Sequence, residues 1–512
     1  MDSIWALFIP FVIYTWTRSR KRYPPGPKRL PFIGNLLDIP TRHAYEKFAH
    51  YSKDLNSDII YLDAVGVPFI VLNSLEACND LLEKRSNVYS SRYHQTMAYE
   101  LIDGKRIFPM LPYGDEWRES KKIMMKHITA PANQEPIFST ITQFIRKSLL
   151  PNLLMAPADF LVHIRNGVGG SIISLTYGLP IKRVDDPWIE VAEQSMHCLT
   201  SAAVPGKYAV DVVPALKHLP EWLPGAGFLR EAKEWKRTFA RLFEEPFKAV
   251  KKGMVDGTVQ PSFLSRSLEE ISDMPDQERL ERVIENPLLG GTDTSVTAVT
   301  NFVAMLLLFP DIQSKAQAEI DIVIGRHRLP ELEDKTKLPY LSAVLKELLR
   351  WKPIVPSGLP HMTSEDDIYK DYYIPKGAIV MGNNWAIMHD EKIFPNPSKF
   401  DPTRFLTASG QLRHDNKIPD PEVVATFGFG RRICPGINIG LASFWLSAAC
   451  ILACFNVTPE LDDEGKPITP KIEYVGKEIV SHPEPFRCQI TPRDPEATAL
   501  VQAEYDESSE YI

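Results

Sequence analysis

Apolar residues recur at helical spacing over most of the chain, along residues 75–84, 116–128, 136–149, 228–252, 296–309, 311–324 and 338–351. Each of these stretches predicts a helix with one face turned to a core. A denser apolar run over 437–455 has no polar face and predicts a helix buried all round. Between Pro31 and Ser74 the period shortens to two, as in IIYLDAVGVPFIVL, which predicts strands and a hairpin near Gly66 and Pro68. After Trp351 the texture changes to turns and short strands, as in DIYKDYYIPKGAIVMGNNWA. The pattern is that of a mainly α protein with a smaller β-rich lobe.

The amino-terminal run at 4–16 (IWALFIPFVIYTW) is followed at once by Arg18, Arg20, Lys21 and Arg22. At ~1.5 Å per residue such a helix reaches about 20 Å, short of a ~30 Å hydrocarbon core, and Pro10 bends it. The cations follow the run and no A-x-A-like site comes after it, which favours an anchor over a cleaved signal peptide. Cations placed there hold the remaining chain on the cytoplasmic side. Residues 1–23 are therefore read as an anchor with its basic flank. Residues 24–30, with Pro24-Pro25-Gly26-Pro27, form a stiff hinge, 31–492 the main body, and 493–512 a polar, acidic tail expected to fray. The proline-rich segment 204–228 carries several apolar residues. Two readings stand for it, a lid dipping into a membrane or a loop covering the core.

Composition narrows the function classes. With 58 Lys+Arg against 65 Asp+Glu the net charge is −7, which argues against nucleic acid as the partner. The 43 prolines exceed the usual share of about 5% and predict many rigid loops. Cys78, Cys198, Cys434, Cys450, Cys454 and Cys488 form no CxxC pair and no dense cluster, so a reducing compartment fits best. Cys450 and Cys454 lie in an apolar helical run and read as core. The sequon Asn456-Val457-Thr458 follows that run and is expected to stay unused.

The stretch Phe427-Gly428-Phe429-Gly430-Arg431-Arg432-Ile433-Cys434-Pro435-Gly436 puts a lone cysteine in a glycine-punctuated loop ahead of an apolar helix. Backbone N–H donors and the dipole at a helix start favour the thiolate. Glycines let backbone approach a flat ligand closely. The stretch resembles F-x-x-G-x-R-x-C-x-G, the signature of the cytochrome P450 family of haem-thiolate monooxygenases. A chance match to all five positions is of the order of one in ten thousand. The resemblance runs from the hinge to about residue 490, and is strongest to fungal specialised-metabolite members of the O-methylsterigmatocystin oxidoreductase-like type.

The resemblance implies the cytochrome P450 fold, with haem b as cofactor and Cys434 as the iron ligand. Phe427, Gly430 and Gly436 shape the ligand loop, and Arg432 pairs with a haem propionate. Trp117 and Lys121 match a W-x-x-x-R element, with Lys in place of Arg. His361 and Arg92 are further propionate partners. Gly290-Gly291-Thr292-Asp293-Thr294-Ser295 resembles the family's oxygen-groove motif, in which Thr294 would hydrogen-bond dioxygen and Asp293 deliver protons. Taken alone, the same residues are also good helix-capping chemistry. Glu347, Arg350 and Arg404 match a structural carboxylate–guanidinium network.

Besides Lys121, three further features depart from the family pattern: Asp371 at a turn glycine, Thr403 at a common glutamate, and the polar stretch 281–287 with Pro287 before the groove. The expected activity inserts one atom of dioxygen into a lipophilic small molecule in fungal secondary metabolism. Electrons would come from an NADPH-cytochrome P450 reductase, with cytochrome b5 as an optional second donor. The expected location is the endoplasmic reticulum membrane, with the catalytic domain cytoplasmic. Two alternatives remain: a haem-thiolate isomerase, dehydratase or oxidative coupling enzyme, and a degenerate haem-binding protein without turnover, suggested by Pro287.

Overall fold

The computed structural model describes residues 21–204, 206–272, 280–281, 284, 290–415, 417–476, 479–505 and 511–512. The anchor run 4–16 and Pro287 lie outside the described residues. Among the described residues, twelve helices of eight or more residues carry the fold. They are α1 (Ala44–Asp54), α2 (Asp115–Thr129), α3 (Pro131–Phe144), α4 (Gly170–Tyr177), α5 (Pro187–Ala202), α6 (Gly227–Asp256), α7 (Phe263–Ile271), α8 (Gly290–Leu308), α9 (Pro310–Val323), α10 (Pro339–Trp351), α11 (Ile437–Cys454) and α12 (Pro495–Ala503).

Two of these set the rest in place. In α8 every residue from Ser295 to Leu307 is buried, and α11 is buried through most of its length. Helices apolar all round belong at the centre of a large core, where other helices supply the amphipathic shell. The two meet at Phe302 and Phe444, whose rings pack edge to face at 6.4 Å. The run in α11 is long and apolar enough to cross a bilayer, but 72% of it is buried inside the fold. Cys450 and Cys454 lie in this helix, both fully buried, as the core reading expects. Among the described residues no group of three His, Cys, Asp or Glu side chains could hold a metal ion.

The β-rich lobe is a five-stranded sheet in the order β1-β2-β7-β4-β3. Its members are β1 (Ile59–Ala64), β2 (Val67–Leu72), β3 (Ser91–Arg92), β4 (His361–Met362) and β7 (Ile379–Gly382). Two further pairs, β5 (Asp367–Tyr369) with β6 (Tyr372–Ile374) and β8 (Phe455–Thr458) with β9 (Gln489–Pro492), stand apart from it. The predicted hairpin turns at Val65 and Gly66, both at positive φ (53° and 88°), which matches the twist of the flanking strands. The β5–β6 turn places Lys370 and Asp371 at φ 49° and 63°, so Asp371 adopts the left-handed geometry in which glycine is common.

The structure departs from the sequence reading in three places. Helix α1 interrupts the expected run of strands before Ser74. Helix α4 lacks an amphipathic period because most of its residues are buried, including Ile172, Ile173, Thr176 and Tyr177. The tail does not simply fray: Asp494 caps α12 by accepting the Ala497 N–H at 2.8 Å and also pairs with Arg326. Ala497 and Val501, four residues apart, anchor that helix, and the polarity of the surrounding tail hides them. The first half of segment 204–228 covers the core. Tyr208 and Val210 pack into a cluster with Phe239 and Phe243, whereas Trp222 stands 78% exposed.

Candidate active site

The cysteine loop is shaped by backbone contacts that side chains would block. Gly430 has φ 55°, and a Cβ there would overlap the Leu82 carbonyl oxygen; its N–H donates to Glu83 Oε2 at 2.8 Å. Gly428, at φ 81°, turns the chain the same way. Cys434 N–H donates to Phe427 O at 2.8 Å, closing the loop, and α11 starts directly after Gly436. Burial pushes the Cys434 thiol up, while the Gly436 backbone N–H, donating to the sulfur, pulls it down. A coordinating metal ion overrides this balance and deprotonates a thiol outright.

Beside the loop the structure gathers five side chains from four parts of the chain. Arg92 and His361 face each other as register partners across β3 and β4. Trp117 and Lys121 come from successive turns of α2. Arg432 comes from the cysteine loop, its guanidinium 4.5 Å from the Trp117 ring centroid. Arg92 is fixed by three carbonyls: Nε donates to Pro109 O at 3.0 Å, and Nη1 to Leu359 O at 2.7 Å and Pro360 O at 3.1 Å. Arg432 donates from Nε to Ser90 O at 2.7 Å and from Nη2 to Leu111 O at 2.6 Å. His361 Nδ1 lies 2.7 Å from Tyr89 O, and Lys121 Nζ donates to Arg431 O at 2.6 Å.

The electrostatics of this cluster are one-sided. Burial first, and then Arg92, pushes Arg432 down to about 8. Burial alone brings Arg92 down to about 10. His361 falls well below its usual value through burial and Arg92, and Lys121 falls through burial and Arg432. Two buried donors, Trp117 Nε1 and Arg432 Nη1, have no hydrogen-bond partner among the described residues. Buried cations crowded together with spare N–H groups suit an anionic ligand bearing carboxylates. Such a ligand, lying beside Cys434, is what the haem expectation requires, so these residues fit the group.

The expected structural network is assembled. Arg350 donates from Nε to Glu347 Oε2 at 2.6 Å and from Nη2 to Glu347 Oε1 at 2.8 Å, with both side chains fully buried. Arg404 Nε approaches Glu347 Oε1 at 3.4 Å as an ion pair, and the Asp401 N–H donates to the same oxygen at 2.8 Å. Arg404 also donates to the carbonyls of Pro395 and Asn396, and Arg350 to that of Met388. One carboxylate thus ties α10 to the segment 388–404. Thr403, at the common glutamate position, bonds Asp401 through its hydroxyl at 2.5 Å instead.

The groove motif opens α8 as described. Gly290 has open space where a Cβ would project, whereas Gly291 is placed against Ile172. Thr294 Oγ1 donates to Gly290 O at 2.9 Å, so the motif lies within the helix and does not cap it. One contact there has no motif to announce it. His482, from the chain before β9, places Nε2 3.3 Å from Asp293 Oδ2 and Nδ1 2.7 Å from Thr297 Oγ1. Only the i, i+4 spacing of Asp293 and Thr297 hints that a partner could span them.

Replacing Glu347 by Gln leaves two buried guanidiniums without their carboxylate. The variant is expected to lose about 3–5 kcal/mol of stability, read by denaturant unfolding.

Comparison with known proteins agrees with this geometry. A family model described as cytochrome P450 matches residues 24–490. The chain is similar to cytochrome P450 monooxygenase 98 of Postia placenta, 41% identical over 96% of this chain and 94% of the relative. It is 38% identical to cytochrome P450 monooxygenase ple1 of Rhodocybe pseudopiperita, covering 98% and 95% of the two chains. It is also 38% identical to tryptamine 4-monooxygenase of Psilocybe cyanescens, covering 94% and 95%. These relatives are named as monooxygenases, which does not favour an isomerase, dehydratase, coupling enzyme or inactive haem carrier. With the mainly α fold, the cysteine loop and matches across nearly the whole length, the chain belongs to the cytochrome P450 family and is a cytochrome P450 monooxygenase.

Proposed function

We propose that this monooxygenase hydroxylates a lipophilic small molecule of fungal secondary metabolism, using haem b held by Cys434. The observation that carries the reading is the cluster of buried and part-buried cations beside the cysteine loop, with two buried N–H donors left over. Haem would supply the activation of dioxygen, with thiolate ligation favouring O–O cleavage. Cys434 would ligate the iron, with Phe427, Gly430 and Gly436 shaping the loop that carries it. Arg92, Trp117, Lys121, His361 and Arg432 would hold the propionates, which relieve the repulsion between the buried guanidiniums.

The overall chemistry joins one oxygen atom to the substrate and converts the other to water, consuming two electrons and two protons. The chain's own part is to move those protons. Thr294 sits at the open Gly290 step of α8, and its hydroxyl, already donating to Gly290 O, can still accept a hydrogen bond. Asp293, next in the helix, is 21% exposed at its side chain and can exchange protons with solvent. Electrons would arrive from an NADPH-dependent flavin reductase, optionally assisted by cytochrome b5, because the chain carries no GxGxxG loop between a strand and a helix. Residues 4–16 would anchor the protein in the endoplasmic reticulum membrane, with the catalytic body on the cytoplasmic side.

Reconstitution with reductase, NADPH, a fungal metabolite extract and isotope-labelled dioxygen tests the reaction: one labelled atom should enter a product, and label-free products would refute it. Thr294→Ala should divert NADPH electrons into peroxide, read as peroxide released per NADPH, and an unchanged ratio would remove Thr294 from proton delivery. Arg432→Gln should weaken haem retention about tenfold, equivalent to about 1.4 kcal/mol. The same change should leave the haem-free chain's unfolding midpoint unchanged or raised, because it deletes a buried cation whose charge is disfavoured there.

A further inference from the structure

We propose that His482 is a positioning residue for proton delivery, holding the Asp293 carboxylate in one orientation on α8. This rests on the reading of Asp293 and Thr294 as the proton path. The imidazole spans one turn of the helix, with Nε2 3.3 Å from Asp293 Oδ2 and Nδ1 2.7 Å from Thr297 Oγ1. Its backbone is held on both sides: Val475 N–H donates to His482 O at 2.8 Å, and Ser481 N–H donates to Ile354 O at 2.8 Å. The ring is thus presented to α8 by a fixed strand of chain and not by a freely swinging side chain.

The hydrogen count makes the arrangement directional. Thr297 has one hydroxyl hydrogen and two acceptors in reach, Asp293 O at 2.8 Å and His482 Nδ1. If it donates to Nδ1, the neutral ring carries its proton on Nε2, facing Asp293. If it donates to Asp293 O, Nδ1 carries the proton and donates to the Thr297 oxygen. Either way Thr297 fixes the ring with its Nε2 edge at ion-pair distance from Asp293 Oδ2. The His482 and Asp293 side chains are 25% and 21% exposed, so both can exchange protons with water.

The test uses the full-length holoenzyme with reductase and NADPH, and dioxygen alone as probe, without organic substrate. The readout is the share of NADPH electrons recovered as peroxide, with the reduced-CO spectrum monitored in each variant. His482→Leu should raise that share threefold or more, as Asp293→Asn should. The double variant should be no worse than Asp293→Asn, and His482→Gln, which keeps a donor, should return the share to within twofold of the unsubstituted chain. A rise with Asp293→Asn but none with His482→Leu overturns the role of His482 alone, as do additive effects in the double variant. No rise with Asp293→Asn overturns the proton-path reading beneath it. A readout independent of turnover is the His482 ring carbon resonance in the diamagnetic ferrous carbonyl form, identified by its loss in His482→Gln. It should shift in both Asp293→Asn and Thr297→Val, and a resonance unmoved by either overturns the pairing even where His482→Leu fails to fold.

Discussion

Burial of like charge is the constraint to which the rest of this structure answers. Arg92 and Arg432 sit in the interior close enough to depress Arg432's ionisation, and His361 and Lys121 feel the same field. Isolated buried cations are costly, and a protein keeps them where an anion returns the cost. Here the guanidiniums are pinned by carbonyls from Ser90, Pro109, Leu111, Leu359 and Pro360, so they cannot retreat to water. The same loop that supplies Arg432 also supplies Cys434, two residues on. In the proposed function, anion binding and metal ligation would therefore be coupled through a few bonds of backbone.

The architecture around that loop keeps it in place. Gly430 rests on the Leu82 backbone, and α11 begins directly behind Cys434, packed on α8 through the core. Glu347 joins α10 to the segment 388–404 through Arg350, Arg404 and the Asp401 N–H. A buried carboxylate with several charge-assisted partners resists displacement because each loss exposes an unpaired charge. The β-rich lobe contributes less mass but fixes Arg92 opposite His361, a pairing set by strand register alone.

Much of this was legible in the sequence where chemistry and spacing coincide. The Phe427–Gly436 motif, the i, i+3 pair Glu347 and Arg350, and the hairpin at Gly66 each carry a local physical signature, and each lies where expected. What stayed hidden was set by tertiary context. Helix α4 is buried all round and shows no period, and α12 holds on through Ala497 and Val501 within a polar tail. His482 reaches Asp293 across 189 positions of chain, and no local pattern encodes such a contact. The two halves of segment 204–228 meet different surroundings, Tyr208 the core and Trp222 the solvent.

The most direct measurement is the reduced-CO difference spectrum of the purified, haem-supplied chain beside its Cys434→Ser variant. The unsubstituted chain should bind one haem and show a thiolate-type Soret band, and the variant should lose that band while keeping the fold. A chain that stays colourless, or a band that survives in Cys434→Ser, would contradict the account.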